Sequence, residues 1–200
     1  DIHAMGIEYI ECNLSVVQCA YDNLAQDFIA IMEKYHVDAK DIVLEITESA
    51  SITEKKILLD NMDALRKVGV RFALDDFGTG QSNLSYIVDM PIDIVKFDRG
   101  MTNAYFDNGK GKPVMDAAMG MIQKLKLEIV SEGIEEKEQF AKLDELGIDY
   151  IQGYYFSKPR NAAEFISFIE SNNAWFILFI QDNNDMRGKR YFAPHIIFAK

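Results

Sequence analysis

The chain is predicted to belong to the α/β class: a parallel sheet with helices packed outside it. Two observations predict this. Short β-branched or aromatic runs alternate with helical apolar patterns along most of the 200 residues, the pattern of parallel strands joined by helical crossovers. Polar residues also recur at or near the C-terminal ends of those runs: Asn13, Glu45, Asp75, Lys96 with Asp98, Glu132 and Gln152. In a closed (β/α)8 barrel such ends converge on one face, where the active site is built; in an open sheet they would be strung out in a line. Convergence favours the barrel. Six strands are legible where a barrel has eight, so both sheet forms stay open at this level.

Taken in order, "IEYIECNLS" (Ile7–Ser15) reads as the first strand. A helix follows with Leu24, Phe28, Ile31 and Tyr35 at helical spacing. "IVLEIT" (Ile42–Thr47) is the second strand. Ser51 and Glu54 have the spacing of a capping box, ahead of a helix whose apolar face is Leu58, Met62 and Leu65. "VRFALD" (Val70–Asp75) is the third strand, and "IDIVKFD" (Ile92–Asp98), with its period of two, the fourth. Pro113 suits the first position of a helix, with Val114, Ala118, Ile122 and Leu125 expected on its buried side. "LEIVSE" (Leu127–Glu132) is the fifth strand. Phe140, Leu143 and Leu146 mark a helix that Gly147 ends. "DYIQGYYF" (Asp149–Phe156) is the sixth strand and "AAEFISFIESNN" a last helix.

Residues 1–173 therefore read as one domain and 174–200 as a C-terminal tail. The tail holds two apolar runs around "DNNDMRGK", a pattern for a β-hairpin. "DNND" lacks the glycine and terminal glutamate of an EF-hand loop.

Net charge is -11, with 32 acidic against 21 basic residues. That argues against binding a nucleic-acid polymer or an anionic membrane surface, which needs an excess of Lys and Arg. An anionic substrate would need a neutraliser other than side chains. Two cysteines, Cys12 and Cys19, make no disulfide framework and suit a reducing compartment. No signal peptide is apparent, and the apolar run Ala174–Ile180 is far too short to span a bilayer. The expected location is the cytoplasm.

The stretch "ALDDFGTGQSNL" carries the chemistry. Adjacent aspartates repel, by about 4 kcal/mol at 4 Å in a medium of effective dielectric near 20, so they are either left in water or given a cation. Asn13, Glu45 and Asp75 offer three hard oxygen donors from successive strands, a set suited to Mg²⁺ or Mn²⁺ rather than Zn²⁺. Asp75 would bridge to a second ion held also by Asp76 and Glu132, and paired cations stabilise both oxygens of a phosphoryl displacement. Taken singly, each of these acids reads more simply as a helix cap or a solvated loop charge, and "DDFGTG" alone as a glycine turn. No Gly-rich loop or "HRD" accompanies "DFG", which excludes a protein kinase. "GTGQS" lacks the Gly-Lys-Ser/Thr ending of a P-loop.

Together "NLS", "LEITES", "ALDDFGTG", "VKFD", "SEGIE" and "QGYYFSKP" resemble, in order and spacing, the EAL domain family: cyclic di-GMP phosphodiesterases and their inactive relatives. The resemblance covers roughly residues 7–173. It implies a TIM-like (β/α)8 barrel that opens cyclic di-GMP to pGpG with two divalent cations, Mg²⁺ or Mn²⁺. Asn13, Glu45 and Asp75 match the ligands of one ion; Asp75, Asp76 and Glu132 match those around the other, and Glu132 is also a catalytic candidate. Lys96 matches the lysine that holds and helps activate the attacking water. Glu48 matches the glutamate anchoring the loop after the aspartates, and that loop, 77–84, is implied in homodimer contacts. Gln152 and Asp98 are candidate substrate-binding residues.

Two departures stand out. The name-giving Glu-Ala-Leu segment, with its ligand glutamate and a phosphate-binding arginine, has no match, so the barrel is expected to be incomplete at its N-terminus and hydrolysis impaired in the chain as given. "GTGQSNL" replaces the usual Gly-aromatic-Ser-Ser-Leu, which bears on the dimer contacts. The alternative reading is a catalytically inactive module that binds cyclic di-GMP or a protein partner. A fused cyclase or sensor domain would lie outside the chain.

Overall fold

The computed structural model describes residues 9–47, 55–79, 84–107 and 109–158, with positions 164 and 167. Glu48, the Ser51/Glu54 capping box, positions 80–83 of the 77–84 loop, most of the expected last helix and the tail 174–200 fall outside the described residues.

The described elements are β1 (Ile10–Leu14), α1 (Val16–Cys19), α2 (Leu24–Tyr35), β2 (Ile42–Thr47), α3 (Lys55–Val68), β3 (Arg71–Phe77), α4 (Ser85–Asp89), β4 (Ile94–Phe97), α5 (Arg99–Phe106), α6 (Gly111–Lys124), β5 (Glu128–Ser131), α7 (Lys137–Glu145) and β6 (Tyr150–Ile151). All six strands are parallel and lie side by side in sequence order. That order, with helices between strands, is the order of a (β/α) barrel.

The sheet is curled. Neighbouring strands lie about 4.8 Å apart, so five spacings would separate the first and last strands of a flat sheet by about 24 Å. Yet Tyr9, just before β1, meets Tyr150 of β6 edge to face at a centroid distance of 6.0 Å. The curl divides the core in two. Tyr9, Val43, Ala73, Ile94, Val130 and Tyr150 form a small cluster inside the curl. The larger cluster, including Leu44, Ile46, Phe72, Leu74, Val95, Phe97 and Ile129, packs the outer strand face against the helices. Both faces of the central strands are thus buried, which explains their continuous apolar character.

Helix phases differ from expectation in two places. On α2 the buried positions are Leu24, Ala25 and Met32, with Phe28 and Ile29 partly covered, while Ile31 and Tyr35 are exposed. The inward stripe follows the i, i+4, i+8 row from Leu24 to Met32 and drifts off the row through Tyr35. On α6 the core residues are Met115, Met119 and Ile122, whereas Val114 and Leu125 are exposed. Pro113 is the third helical residue of α6, not the first, still within the turn whose N–H groups have no intrahelical acceptor. Leu58, Met62 and Leu65 are buried as expected, and Gly147 ends the segment after α7 with φ of 79°. Cys12 and Cys19 are free thiols. No helix among the described residues is long and apolar enough to cross a membrane.

Candidate active site at the strand ends

Side chains on a strand alternate faces, so a residue two positions after an inward one also points inward. The inner cluster is Tyr9, Val43, Ala73, Ile94, Val130 and Tyr150. Two residues further along each strand stand Glu11, Glu45, Asp75, Lys96, Glu132 and Gln152. An apolar floor therefore carries a set of polar residues toward the C-terminal mouth of the sheet, on the inner face that strand parity assigns them.

Lys96 is the hub of that set. Its side chain is fully buried, and Nζ lies 2.5 Å from Glu45 Oε1, 2.9 Å from Glu132 Oε1, 3.4 Å from Glu11 Oε2 and 3.9 Å from Asp75 Oδ1. Nζ donates hydrogen bonds to Glu45 and Glu11. The contact to Glu132 is an ion pair without hydrogen-bond alignment, which leaves the buried Oε1 of Glu132 lacking a donor. Glu45 is 1% exposed, and its second oxygen, Oε2, has no hydrogen-bond partner.

The electrostatics follow from this crowding. Burial pushes the Glu45 carboxyl up to about 7, and the adjoining Glu11 carboxyl adds to the rise against the opposing pull of Lys96. Burial also raises Asp75 to about 6, helped by the carboxylates of Glu45, Glu132 and Asp76 and opposed by Lys96. Burial by itself would lower the Lys96 ammonium, but Glu11, Glu45, Glu132 and Asp75 outweigh it and hold it well above the usual lysine range.

The adjacent aspartates have a structural explanation that the sequence did not disclose. Between β3 and β4 the register is regular at Ala73↔Ile94 and Leu74↔Val95, then resumes at Phe77↔Phe97. Asp75 and Asp76 thus both stand opposite Lys96, the two-against-one count of a β-bulge. Asp76 takes a left-handed φ of 58°, a conformation aspartate tolerates better than most residues. Thr79 closes the turn by donating from N and Oγ1 to the Asp76 carbonyl. Gly78 follows at φ 105°, where a Cβ would fall 2.6 Å from Met101 Sδ.

Of the other sequence candidates, Asn13 pairs in register with Glu45 and stands exposed at the rim. Gln152 is 7% exposed; its backbone N–H donates to Ser131 and its carbonyl accepts from Ile134. Asp98 is the N-cap of α5: its two carboxylate oxygens accept from the N–H groups of Gly100 and Met101 at 2.6 and 2.9 Å. Glu48 lies outside the described residues. Glu11 was missed. Its signal is present, since it follows Tyr9 by two as Glu45 follows Val43, but Asn13, two residues further on, fits the motif at the end of β1.

Donor chemistry and unmet charge fit hard divalent cations. The oxygens are carboxylates, and a buried Glu45 oxygen lacks a donor. The carboxylates are drawn onto Lys96, however, and among the described residues no three His, Cys, Asp or Glu side chains are already spaced around an ion position.

The arc of six parallel strands, with carboxylates and a lysine gathered at its mouth, defines part of a TIM-like barrel. Comparison supplies the family: residues 2–159 match the EAL domain, and the chain belongs to that family. It is 31% identical over 145 residues to the cyclic di-GMP phosphodiesterase RocR of Pseudomonas aeruginosa, covering 72% of this chain and 37% of that protein. The structure of the EAL enzyme Bd1971 in its cAMP- and cyclic-di-GMP-bound form superposes with a TM-score of 0.76 at 31% identity, over 80% of this chain and 43% of that one. The manganese/cyclic-di-GMP complex of Klebsiella pneumoniae BlrP1 gives a TM-score of 0.70 at 25% identity, over 78% and 40%. The chain spans about a fifth to a quarter of the length of several curated relatives.

Proposed function

We propose that this chain carries the greater part of a metal-dependent centre that hydrolyses cyclic di-GMP to pGpG. The observation that supports it most is the buried Lys96 ammonium ringed by Glu45, Glu132, Glu11 and Asp75 at the mouth of the curled sheet. Relatives named for cyclic di-GMP hydrolysis, and neighbours whose structures hold cyclic di-GMP, supply the substrate class.

Asn13, Glu45 and Asp75 would hold one divalent cation, and Asp75, Asp76 and Glu132 a second. Such ions, when bound, supply Lewis acidity and offset the negative charge of the phosphodiester and of the site itself. The chain's own residues do the rest. The bulge in β3 sets both aspartates opposite Lys96 from a single strand. Lys96, held protonated by its carboxylates, acts as a fixed cation and hydrogen-bond donor that orients the attacking water. It does not act as a base, since its proton is held too firmly to be exchanged near neutral pH. Gln152 and Asp98 border the mouth; the cap role of Asp98 keeps the start of α5 in place beside the substrate. Glu48 would anchor the loop after the aspartates, and that loop would contribute to a homodimer. The barrel unit is residues 1–173, with 174–200 a tail. Without a Glu-Ala-Leu strand, turnover is expected to be low.

The test is binding and turnover measured side by side. Cyclic di-GMP is titrated in Ca²⁺ by calorimetry, and pGpG is followed by chromatography in Mn²⁺, on this chain and on the chain extended by an EAL-type first strand and helix. Binding by both with faster turnover by the extended form is expected. Binding without any pGpG from either form favours a receptor module, and absence of both overturns the reading.

A further inference from the structure

We propose that Glu11 is a metal ligand of this site, clamping a divalent cation together with Glu45 from the adjoining strand. The inference rests on the metal-dependent reading above and adds a residue that neither the motif pattern nor the family match assigns.

Four observations converge on Glu11. Strand parity places it on the same inner face as Glu45, Asp75, Lys96 and Glu132, each two residues beyond a member of the inner apolar cluster. Its Oε2 lies 3.4 Å from Lys96 Nζ, three strands away across the curl. Its carboxylate and that of Glu45 both bring negative charge to one point, since Lys96 Nζ hydrogen-bonds to each of them. The second Glu45 oxygen, Oε2, belongs to a residue 1% exposed and has no hydrogen-bond partner. Carboxyl groups crowded onto one ammonium need either a shared proton or a further cation. Lys96 does not meet the whole demand, because a lysine ammonium has three protons and four carboxylates crowd it. Glu11, Glu45, Asp75, Asp76 and Glu132 exceed that ammonium by four formal negative charges, the charge of two divalent cations. Glu11 also keeps some solvent access, its side chain being 16% exposed against 1% for Glu45. An ion can therefore reach the pair past Glu11.

The bland alternative is that Glu11 serves only as a counter-ion to Lys96. The two differ in what an isosteric neutral residue does to metal affinity. Mn²⁺ binding to the 200-residue chain is measured by electron paramagnetic resonance of the unbound ion, for wild type, Glu11→Gln, Glu11→Asp, Glu45→Gln and the Glu11→Gln/Glu45→Gln double variant. The metal-free circular dichroism of each is recorded alongside. A ligand role predicts at least a tenfold rise in Kd for Glu11→Gln and partial recovery in Glu11→Asp. It also predicts a smaller loss from Glu11→Gln in the Glu45→Gln background than in wild type, since both carboxylates serve one ion. A Glu11→Gln protein that binds Mn²⁺ within twofold of wild type, or more tightly, overturns the proposal while leaving the metal-dependent reading intact. Should Glu11→Gln fail to fold, Glu11→Asp decides: an affinity weaker than wild type with a native spectrum supports the ligand role, and wild-type affinity overturns it. A wild-type chain that binds no Mn²⁺ defeats the metal-dependent reading first, and the Glu11 role with it.

Discussion

Replacing Lys96 with methionine removes the cation from beneath four carboxylates while keeping the length of the buried stem. Removing one partner of a buried ion pair costs about 3–5 kcal/mol, because the other charge is left uncompensated. For a domain of this size about 2–4 °C of melting temperature goes with each kcal/mol, so Lys96→Met should melt roughly 6–20 °C below wild type in EDTA at pH 7. The gap should narrow near pH 5, where Glu45 and Asp75 are protonated in any case. Mn²⁺ should also raise the variant's melting temperature more than that of wild type. Scanning calorimetry with EDTA and with Mn²⁺ makes the comparison. A variant melting within about 2 °C of wild type in EDTA would mean the carboxylates are solvated rather than gathered on Lys96, and the reasoning would be refuted.

Three further expectations follow from particular contacts. Glu45 and Asp75 have folded-state values of about 7 and 6 against ordinary values of 4.5 and 3.8. The unfolded chain therefore loses these protons first, and the stability they contribute is present at low pH and lost progressively as pH rises from the ordinary values of 3.8 and 4.5 to the folded values of about 6 and 7. In EDTA the wild-type melting temperature should fall over that window, and that of Glu45→Gln should fall less. Asn61, 4% exposed, accepts from the Ala25 N–H and donates to the carbonyls of Tyr21 and Ile57, so Asn61→Ala should lose about 2–3 kcal/mol in urea unfolding by stranding those groups. Asp98→Ala removes the α5 cap and should lose about 1 kcal/mol, with Mn²⁺ affinity by calorimetry unchanged.

Much of this was legible from residues alone, and the failures have physical causes. Strand period and parity located the layer of Glu45, Asp75, Lys96 and Glu132, because inward positions on a buried parallel strand are set by an exact alternation. Helix faces were less secure. On α2 and α6 apolar residues occur on more than one stripe, and packing against the sheet selects Met32 over Tyr35 and Met115 over Val114. The bulge that sets Asp75 and Asp76 against Lys96 has no signature in the order of residues, since it is a relation between two strands. Asp98 shows the limit of reading chemistry from a strand end, where a carboxylate can equally serve the next helix as its cap. Glu11 was hidden by a neighbour, Asn13, that fitted a motif.

The central claim is that Glu45, Asp75, Asp76 and Glu132, with Lys96, form a metal-dependent site for hydrolysing cyclic di-GMP. The most direct measurement is pGpG formation by the chain extended with an EAL-type first strand and helix, followed by chromatography in Mn²⁺ and again after EDTA. The account predicts cyclic di-GMP consumption that EDTA abolishes and Mn²⁺ restores. It further predicts that Glu45→Ala and Asp75→Ala eliminate turnover, and that Lys96→Ala lowers turnover while substrate still binds. Turnover that survives EDTA, or that survives Glu45→Ala or Asp75→Ala in Mn²⁺, would contradict it.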